Sequence, residues 1–402
     1  MYEEDFEAQL KEDILDIAKR CRNCNYCYSV CPLMESTRGF FVQGPAGIVQ
    51  SIRYAILWNE IEGKYKEELR DILYLCTTCN SCVLRCKAKA PGIPVLDAIE
   101  MGRKLIVEKM IGPLPDQIKA LTSLEEDGNP YGEPEKDRLK WLESFDNKEG
   151  FQINLLPNGD VDTLLYIGCT IPYHPEMWHI LKTLVKVFEK LKLSFGILKE
   201  EKCCGSPARR MGEEGLFLDL MEENLSLFKD IAPKRIITIS PHCFNTFKNE
   251  YSELANSINI QHYTQFFAEL IDQGVLKISN HIKEKITYHD PCYLGKRNGV
   301  YEEPRKVMLN LGGDNFIEME RNREDSLCCG GGGGRMWADV EEINRLSEIR
   351  VDEALKIGAN IIVTACPWCH IQLTDGVKNK KASDKIKVMD LIELVGKSLL
   401  EE

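Results

Sequence analysis

Two cysteine-rich stretches near the N-terminus decide the fold: CRNCNYCYSVCP at residues 21–32 and CTTCNSCVLRC at residues 76–86. Both have the spacing CxxCxxCxxxC, in which three cysteines, each separated by two residues, can wrap one face of a cubane [4Fe-4S] cluster. The fourth cysteine of such a run is usually given to the other cluster. We therefore predict two crossed cubane sites, one held by Cys21, Cys24, Cys27 and Cys86, and one held by Cys76, Cys79, Cys82 and Cys31.

Tetrahedral zinc is the alternative for these stretches, because paired CxxC motifs also build zinc sites. A zinc site takes four thiolates, and it gives no role to a third evenly spaced cysteine in the same run. The spacing therefore favours cubane clusters.

The pattern of apolar residues divides the chain into a helical part and an α/β part. Helical spacing runs through residues 1–110, and prolines and glycines then mark residues 111–160 as a linker with short helices. Beyond it, β-branched runs alternate with amphipathic stretches, which predicts an α/β fold with mainly parallel strands after an all-α N-terminal domain. The β-branched runs are residues 164–167, 236–239, 285–288 and 361–364, and the amphipathic stretches are residues 177–191 and 340–354.

The α/β part repeats itself. Cys169, Cys203 and Cys243 recur as Cys292, Cys328 and Cys369 at offsets of 123, 125 and 126. We predict two tandem modules, at residues 161–280 and 281–402, with ligands on loops that follow strands.

The second module carries five cysteines, one more than a cubane uses. Adjacent cysteines can bridge irons in an opened cluster, so we predict a site of bond-breaking chemistry here. Glycines after the pair let the backbone approach, and Gly330, Gly331 and Gly332 can aim amide N–H groups at cluster sulfurs; a flexible loop is the alternative. The predicted catalytic and metal-binding cysteines are Cys292, Cys328, Cys329, Cys366 and Cys369.

The first module departs from this pattern. It has Cys169, Cys203, Cys204 and Cys243, but Ser240 stands where the offset of 126 to Cys366 predicts a cysteine. The module either holds a further cluster, with Ser240 or His242 as a weak ligand or an open position, or is a degenerate copy kept for packing.

Other residues near the cysteines have two interpretations each. His289, three residues before Cys292, is a candidate catalytic group for proton delivery or a structural histidine. Arg209, Arg210, Lys296 and Arg297 are either an anion site or ordinary surface charge, and surface charge is the better interpretation.

Composition limits the partners and the compartment. The net charge of −12 argues against nucleic acid, and no apolar stretch approaches the roughly 20 residues that span a bilayer. An acidic N-terminus and closely spaced cysteines predict a reducing, oxygen-poor cytoplasm. Because no dinucleotide or phosphate-loop motif is present, flavin or nicotinamide must come from a partner.

The two cysteine patterns together resemble a known family. The N-terminal part resembles helical ferredoxin domains such as that of succinate dehydrogenase. The CysCysGly modules closely resemble the CCG domain of heterodisulfide reductase catalytic subunits, in the fused form where a helical ferredoxin domain precedes two CCG domains. The resemblance implies a noncubane [4Fe-4S] cluster in the second module, at which a disulfide is cleaved.

Two functions follow from this resemblance. The first is an oxidoreductase subunit that passes electrons through two cubanes to the noncubane site and reduces a disulfide substrate. The second is an electron-transfer-only subunit for a flavoprotein dehydrogenase of the glycolate, lactate, glycerol-3-phosphate or electron-transferring flavoprotein type. The expected partners are a flavoprotein or other electron donor and a membrane cytochrome or quinone-linked protein, which would hold the chain at the cytoplasmic membrane face. A metal-stabilised assembly protein is a remote third alternative.

Overall fold

The N-terminal part is helical in the structure, a computed structural model that describes residues 2–88, 92–145, 153–157, 161–278, 280–340 and 342–400. Its core lies between α1, α3, α4 and α6, where Ile14, Ile48, Leu73 and Ala98 are fully buried. Apolar residues three and four apart place one stripe of each helix in this core. The helices are α1 (Tyr2–Arg20), α2 (Leu33–Ser36), α3 (Pro45–Leu57), α4 (Lys66–Leu75), α5 (Ser81–Arg85), α6 (Val95–Glu108), α7 (Pro115–Asp127) and α8 (Lys140–Glu143).

A parallel sheet forms the centre of the first module. Within the described residues it has five strands in the order β1-β3-β2-β4-β5. The strands are β1 (Asn154–Leu156), β2 (Thr163–Tyr166), β3 (Gly196–Leu198), β4 (Arg235–Thr238) and β5 (Asn259–His262). The helices are α9 (Trp178–Lys190), α10 (Ser206–Met211), α11 (Glu214–Ile231), α12 (Pro241–Asn249), α13 (Ser252–Ser257) and α14 (Tyr263–Asp272).

The second module repeats this arrangement around a smaller sheet. Three parallel strands, in the order β6-β7-β8, lie in its described residues. They are β6 (Ile286–Tyr288), β7 (Ile361–Thr364) and β8 (Lys387–Asp390). The helices are α15 (Gly295–Asn298), α16 (Glu302–Gly312), α17 (Leu346–Lys356), α18 (Pro367–Asn379) and α19 (Leu391–Leu400).

The two sheets share one hydrophobic core. Side chains of both modules, among them Ile237 and Val363, belong to the same buried cluster. α19 packs on α9, and the Tyr263 hydroxyl donates to the Asp390 carboxylate across the boundary at 2.7 Å. The two modules therefore pack against each other through one core, and the bond from Trp368 to Thr170 shows that their cysteine-bearing loops meet.

The predicted fold class is confirmed, with a correction in one helix. The four β-branched runs form β2, β4, β6 and β7 within one residue of the predicted bounds. The predicted helix at residues 340–354 is wrong in its first part, because α17 begins only at Leu346. The backbone N–H groups of Ile343 and Asn344 donate instead to Ser36 O in the helical part, at 2.7 and 3.3 Å. This tertiary pairing replaces the predicted first turns.

Candidate iron-sulfur sites

Four cysteines from both N-terminal stretches line one cavity. Cys31 follows the first stretch's short 3-10 turn, and Cys76, Cys79 and Cys82 surround the start of α5. Burial raises the pKa of the Cys76 thiol to about 11, against the opposing charge of Arg103. The predicted crossed assignment requires this set of four to lie together, although the assignment itself stays a prediction.

The remaining four N-terminal cysteines lie in a more open setting. Cys24 is exposed, while Cys21, Cys27 and Cys86 are half-buried. The pKa of the Cys21 thiol is raised, first by burial and then by the sulfurs of Cys24 and Cys86. Cys86 therefore lies near the first stretch, as the crossed assignment requires. This end of the helical part is the one more accessible to another protein.

The four thiols of the first module form a connected, buried group. Cys169 follows β2, and its sulfur lies 3.8 Å from that of Cys203. Cys204 contacts the thiols of both Cys203 and Cys243. Burial alone would raise the pKa of the Cys204 thiol, but the hydrogen bonds from Cys203 and Cys243 outweigh it and lower that pKa well below its usual value. One member of the group is thus predisposed to be the thiolate that a metal requires.

Ser240 and His242 have other partners in this structure. Ser240 is the N-cap of α12, and its hydroxyl accepts the His242 backbone N–H at 3.2 Å. Cys366 is the N-cap of α18, so the two residues occupy equivalent positions in the two modules. The His242 ring faces the second module, where it packs against the rings of Tyr293 and Trp368 with centroids 4.0 and 3.9 Å away.

The second module brings all five predicted cysteines together in its interior. Cys292 follows β6, the Cys328–Cys329 pair lies on the loop before α17, and Cys366 and Cys369 begin α18. Hydrogen bonds from the thiols of Cys328 and Cys369 lower the pKa of the Cys329 thiol well below its usual value, despite burial. The thiols therefore form a chain of contacts with a preferred site of ionisation.

The helical part and the second module meet at a sulfur-to-sulfur contact. The side chains of Cys79 and Cys328 belong to one buried cluster with Cys292 and Tyr293, and the nearby Cys328 thiol raises the pKa of the Cys79 thiol. The Tyr293 and Thr78 hydroxyls are hydrogen-bonded at 2.8 Å beside this contact. Cys79 therefore belongs both to the lining of the N-terminal cavity and to the cluster that contains Cys292 and Cys328.

The glycine run after Cys329 has two separate uses. The Gly330 N–H donates to the Cys328 sulfur at 3.4 Å, and the Gly331 N–H donates to the Cys329 sulfur. Gly332 and Gly333 pack instead on the backbone of the helical part. A Cβ on Gly332 would lie 2.3 Å from Thr77 O, and one on Gly333 would lie 2.2 Å from Cys76 O. The run is therefore fixed by close backbone packing.

Arg103, which the sequence analysis did not single out, ties this junction together. Its guanidinium is fully buried, and its acceptors among the described residues are all carbonyl oxygens. The acceptors are Leu73 O at 2.7 Å, Cys76 O at 2.7 Å, Arg210 O at 2.6 Å and Gly333 O at 2.9 Å. One side chain thus joins the helical part to both modules.

A set of aromatic residues also links the two modules. The Trp368 indole, between Cys366 and Cys369, donates to Thr170 Oγ1 at 3.0 Å. Thr170 follows Cys169, so this bond joins loops that carry cysteines of different modules. The position of Trp368 between two predicted ligands is the only sequence signal that would have found it.

His289 lies at the five-cysteine group. One of its ring nitrogens and the sulfurs of Cys329 and Cys369 lie within 4.8 Å of one another. The pKa of His289 falls to about 3, first because of burial and then because of the Arg350 charge. Arg350 comes from α17, and nothing in its local sequence indicates this contact.

The expectation of surface charge is wrong for three of the four cations. Arg210 is 3% exposed and pairs with Glu100 and Glu250, and Arg297 pairs with Glu100. Lys296, 6% exposed, donates to Ser81 Oγ and Ser326 O at 2.6 Å. These cations hold the three parts of the chain together.

Comparison with known proteins finds a family match in the helical part and in each of the two modules. Residues 163–248 and 286–374 each match the cysteine-rich domain family called CCG, and residues 17–90 match a 4Fe-4S dicluster domain. One subunit of the dihydromethanophenazine:CoB–CoM heterodisulfide reductase of Methanosarcina barkeri is 31% identical over 399 residues, covering 94% of this chain and 93% of that protein. The chain belongs to the family of this heterodisulfide reductase subunit.

Longer relatives share only part of their length with it. The EtfAB:quinone oxidoreductase of Syntrophomonas wolfei is 36% identical over 82% of this chain and 47% of its own length. The probable iron-sulfur-binding oxidoreductase FadF of Bacillus subtilis is 35% identical over 46% of its own length. The chain therefore spans about half the length of these two relatives.

A solved structure shares the fold. A hypothetical protein from Helicobacter pylori superposes with a TM-score of 0.51 at 11% identity, covering 98% of this chain and 73% of its own. In the described part of this chain, we find no helix with the length and apolar character needed to span a membrane.

Proposed function

We propose that this chain is the iron-sulfur subunit of a heterodisulfide-reductase-like complex, in which electrons pass from two cubane sites to a noncubane site that reduces a disulfide. The observation that carries the proposal is the contact between Cys79 and Cys328. It joins the second cubane site directly to the five-cysteine group, which favours rapid electron transfer.

The residues present fit the proposed clusters. Five buried thiols converge in the second module, four cysteines line one cavity in the helical part, and amide N–H groups point at sulfurs of the second module, as cluster sites require. Bound clusters would supply one-electron transfer. The proposed ligand sets are Cys21, Cys24, Cys27 and Cys86; Cys76, Cys79, Cys82 and Cys31; and Cys292, Cys328, Cys329, Cys366 and Cys369.

The overall reaction needs two electrons and two protons for each disulfide, which becomes two thiols. A reduced flavin on a partner protein would give the electrons one at a time, at the exposed end near Cys24. Gly330 and Gly331 would stabilise negative charge on the sulfurs of the second module through their N–H groups.

The arrangement in the cell is also a proposal. The domains would be residues 1–110, 111–160, 161–280 and 281–402, and the chain would lie in the cytoplasm or against the membrane through a partner. The names of the relatives include a quinone oxidoreductase and a probable membrane-anchored ferredoxin, which support a quinone-linked or membrane partner.

Anaerobic purification with iron counting and EPR during thiol titration tests the proposal. Two cubanes and one or two further clusters amount to about twelve to sixteen irons, and a thiol-dependent signal should appear. The Cys328→Ala variant should lose this signal, and the matched Cys243→Ala variant in the first module should keep it. About eight irons, or a full signal in Cys328→Ala, would contradict the ligand set.

An electron-transfer-only subunit is the second candidate, and the first module favours it. The Ser240 hydroxyl is engaged as a helix cap, and the His242 ring is stacked against the second module, so neither replaces the fifth cysteine there. The similarity to the EtfAB:quinone oxidoreductase points the same way. Clusters that form fully but do not respond to thiols would favour this function.

A further inference from the structure

A hydrogen bond inside the second module determines which nitrogen of His289 carries the proton. Arg350 Nε lies 3.2 Å from His289 Nδ1, and both residues are buried. A guanidinium can only donate, so Nδ1 must accept. A neutral imidazole has one N–H, which is therefore on Nε2.

Arg350 is held rigidly enough to impose this choice. Its Nη1 donates to Arg321 O at 2.8 Å and to the Glu353 carboxylate at 2.6 Å. Its Nη2 donates to Ser326 Oγ at 3.3 Å, two residues before Cys328. The guanidinium is thus fixed to the same loop that carries the cysteine pair, and its Nε–H has His289 as its partner.

The His289 ring is fixed from its backbone as well. The backbone N–H of His289 donates to Val363 O at 2.8 Å and so continues the pairing of β6 with β7. One ring nitrogen of His289 and the sulfurs of Cys329 and Cys369 lie within 4.8 Å of one another. Because Nδ1 is engaged by Arg350, Nε2 is the ring nitrogen left to donate to a sulfur.

We infer that Arg350 is a positioning residue, which holds His289 as a neutral Nε2–H donor to the sulfurs of the five-cysteine group. The inference rests on the proposed cluster in the second module. His289 then acts through a permanent hydrogen bond and delivers no proton of its own. Hydrogen bonds to cluster sulfurs favour the more negative, reduced state, so this donor raises the reduction potential of the site.

Amide substitutions distinguish the two nitrogens. His289→Gln places an N–H donor near the position of Nε2, whereas His289→Asn places its amide near Nδ1. The measurement is a redox titration of the intact protein that follows the second-module EPR signal, the one that Cys328→Ala should lose. His289→Gln should keep the wild-type reduction potential. His289→Asn should make reduction about tenfold less favourable, which corresponds to a one-electron shift of about 59 mV.

A double-variant cycle separates positioning from charge. Arg350→Met should lower the potential in the wild-type background, because the Nε2 proton is no longer enforced. It should have no further effect in the His289→Gln background, where no tautomer can change. An equal shift in both backgrounds would mean that Arg350 acts through its charge, and it would overturn the inference.

Folding and function are checked independently. Unchanged EPR signals of the two cubanes identify the variants that fold. If Arg350→Met does not fold, Arg350→Lys takes its place, because lysine retains the charge but has no Nε–H. Arg350→Lys with the wild-type potential would also overturn the inference. If thiols do not alter the signal, disulfide reduction is refuted, but the measured reduction potentials still test the role of Arg350. If the wild type lacks the second-module signal, both the proposed function and the role of Arg350 are overturned.

Discussion

Removing one partner of the buried ion pair between Arg138 and Glu201 should strongly destabilise the loops that the pair supports. Their side chains are 2% and 0% exposed. Glu201 also accepts the backbone N–H groups of Ile167 and Gly168, at 3.0 and 2.7 Å. The pair therefore supports the loop before Cys169, and Glu201 itself lies two residues before Cys203.

Arg138→Met removes one partner and leaves the Glu201 carboxylate buried with two N–H donors. Breaking a buried ion pair in this way costs about 3–5 kcal/mol, roughly two to nearly four orders of magnitude in the folding equilibrium. Arg138→Met with Glu201→Gln removes both charges and should recover part of this loss. The free energy of unfolding can be followed anaerobically by urea titration of tryptophan fluorescence, since Trp141, three residues after Arg138, is buried in the core that the two modules share.

The matched control is the pair of Lys234 and Asp162, which also joins distant segments but is 76% and 69% exposed. Lys234→Met should cost no more than about 1 kcal/mol. The reasoning fails if Arg138→Met and Lys234→Met destabilise the protein equally, or if the double variant is less stable than Arg138→Met.

Three further outcomes are expected. Burial raises the pKa of Asp390 to about 7, so between about pH 4 and 7 this carboxyl group binds more protons in the folded state than in the unfolded state. Its contribution to stability therefore falls as the pH rises through that window. Asp390→Asn should reduce the loss of unfolding free energy between about pH 5.5 and 8. Gly333→Ala, whose Cβ would lie 2.2 Å from Cys76 O, should lower the cluster absorbance and iron content, whereas Gly215→Ala, with nothing within 4 Å, should leave both unchanged. Trp368→Phe removes the indole donor between the modules and should cost about 1 kcal/mol in urea titrations, and wild-type stability would contradict the role of that bond.

Much of the fold was predictable because its signals are local. The spacing of Cys21 to Cys31 and the β-branched runs at residues 236–239 and 361–364 depend on neighbours in sequence. β1, β3, β5 and β8 were missed, since none of them carries such a run. Whether Gly332 packs on Thr77 depends on how distant parts of the chain dock, which no local pattern contains.

The candidate sites divide in the same way. The cysteines were found from spacing, because a cluster imposes a period on the chain that binds it. Arg103 and Arg350 were missed, since each lies within an amphipathic helix and its partner at the site, Cys76 O or His289, is more than 25 residues away in sequence. Lys296 was misjudged for the same reason, as a lysine is ordinarily exposed unless a docked surface covers it.

The buried guanidinium of Arg103 limits how this protein can move. Swinging the helical part away from the modules would strand a cation whose donors all point to carbonyl oxygens of three regions. The contact between Cys79 and Cys328 is therefore a fixed one, because the helical part stays packed on the second module. In the proposed function, a step that controls electron transfer must then occur before this contact, at the exposed end of the helical part near Cys24.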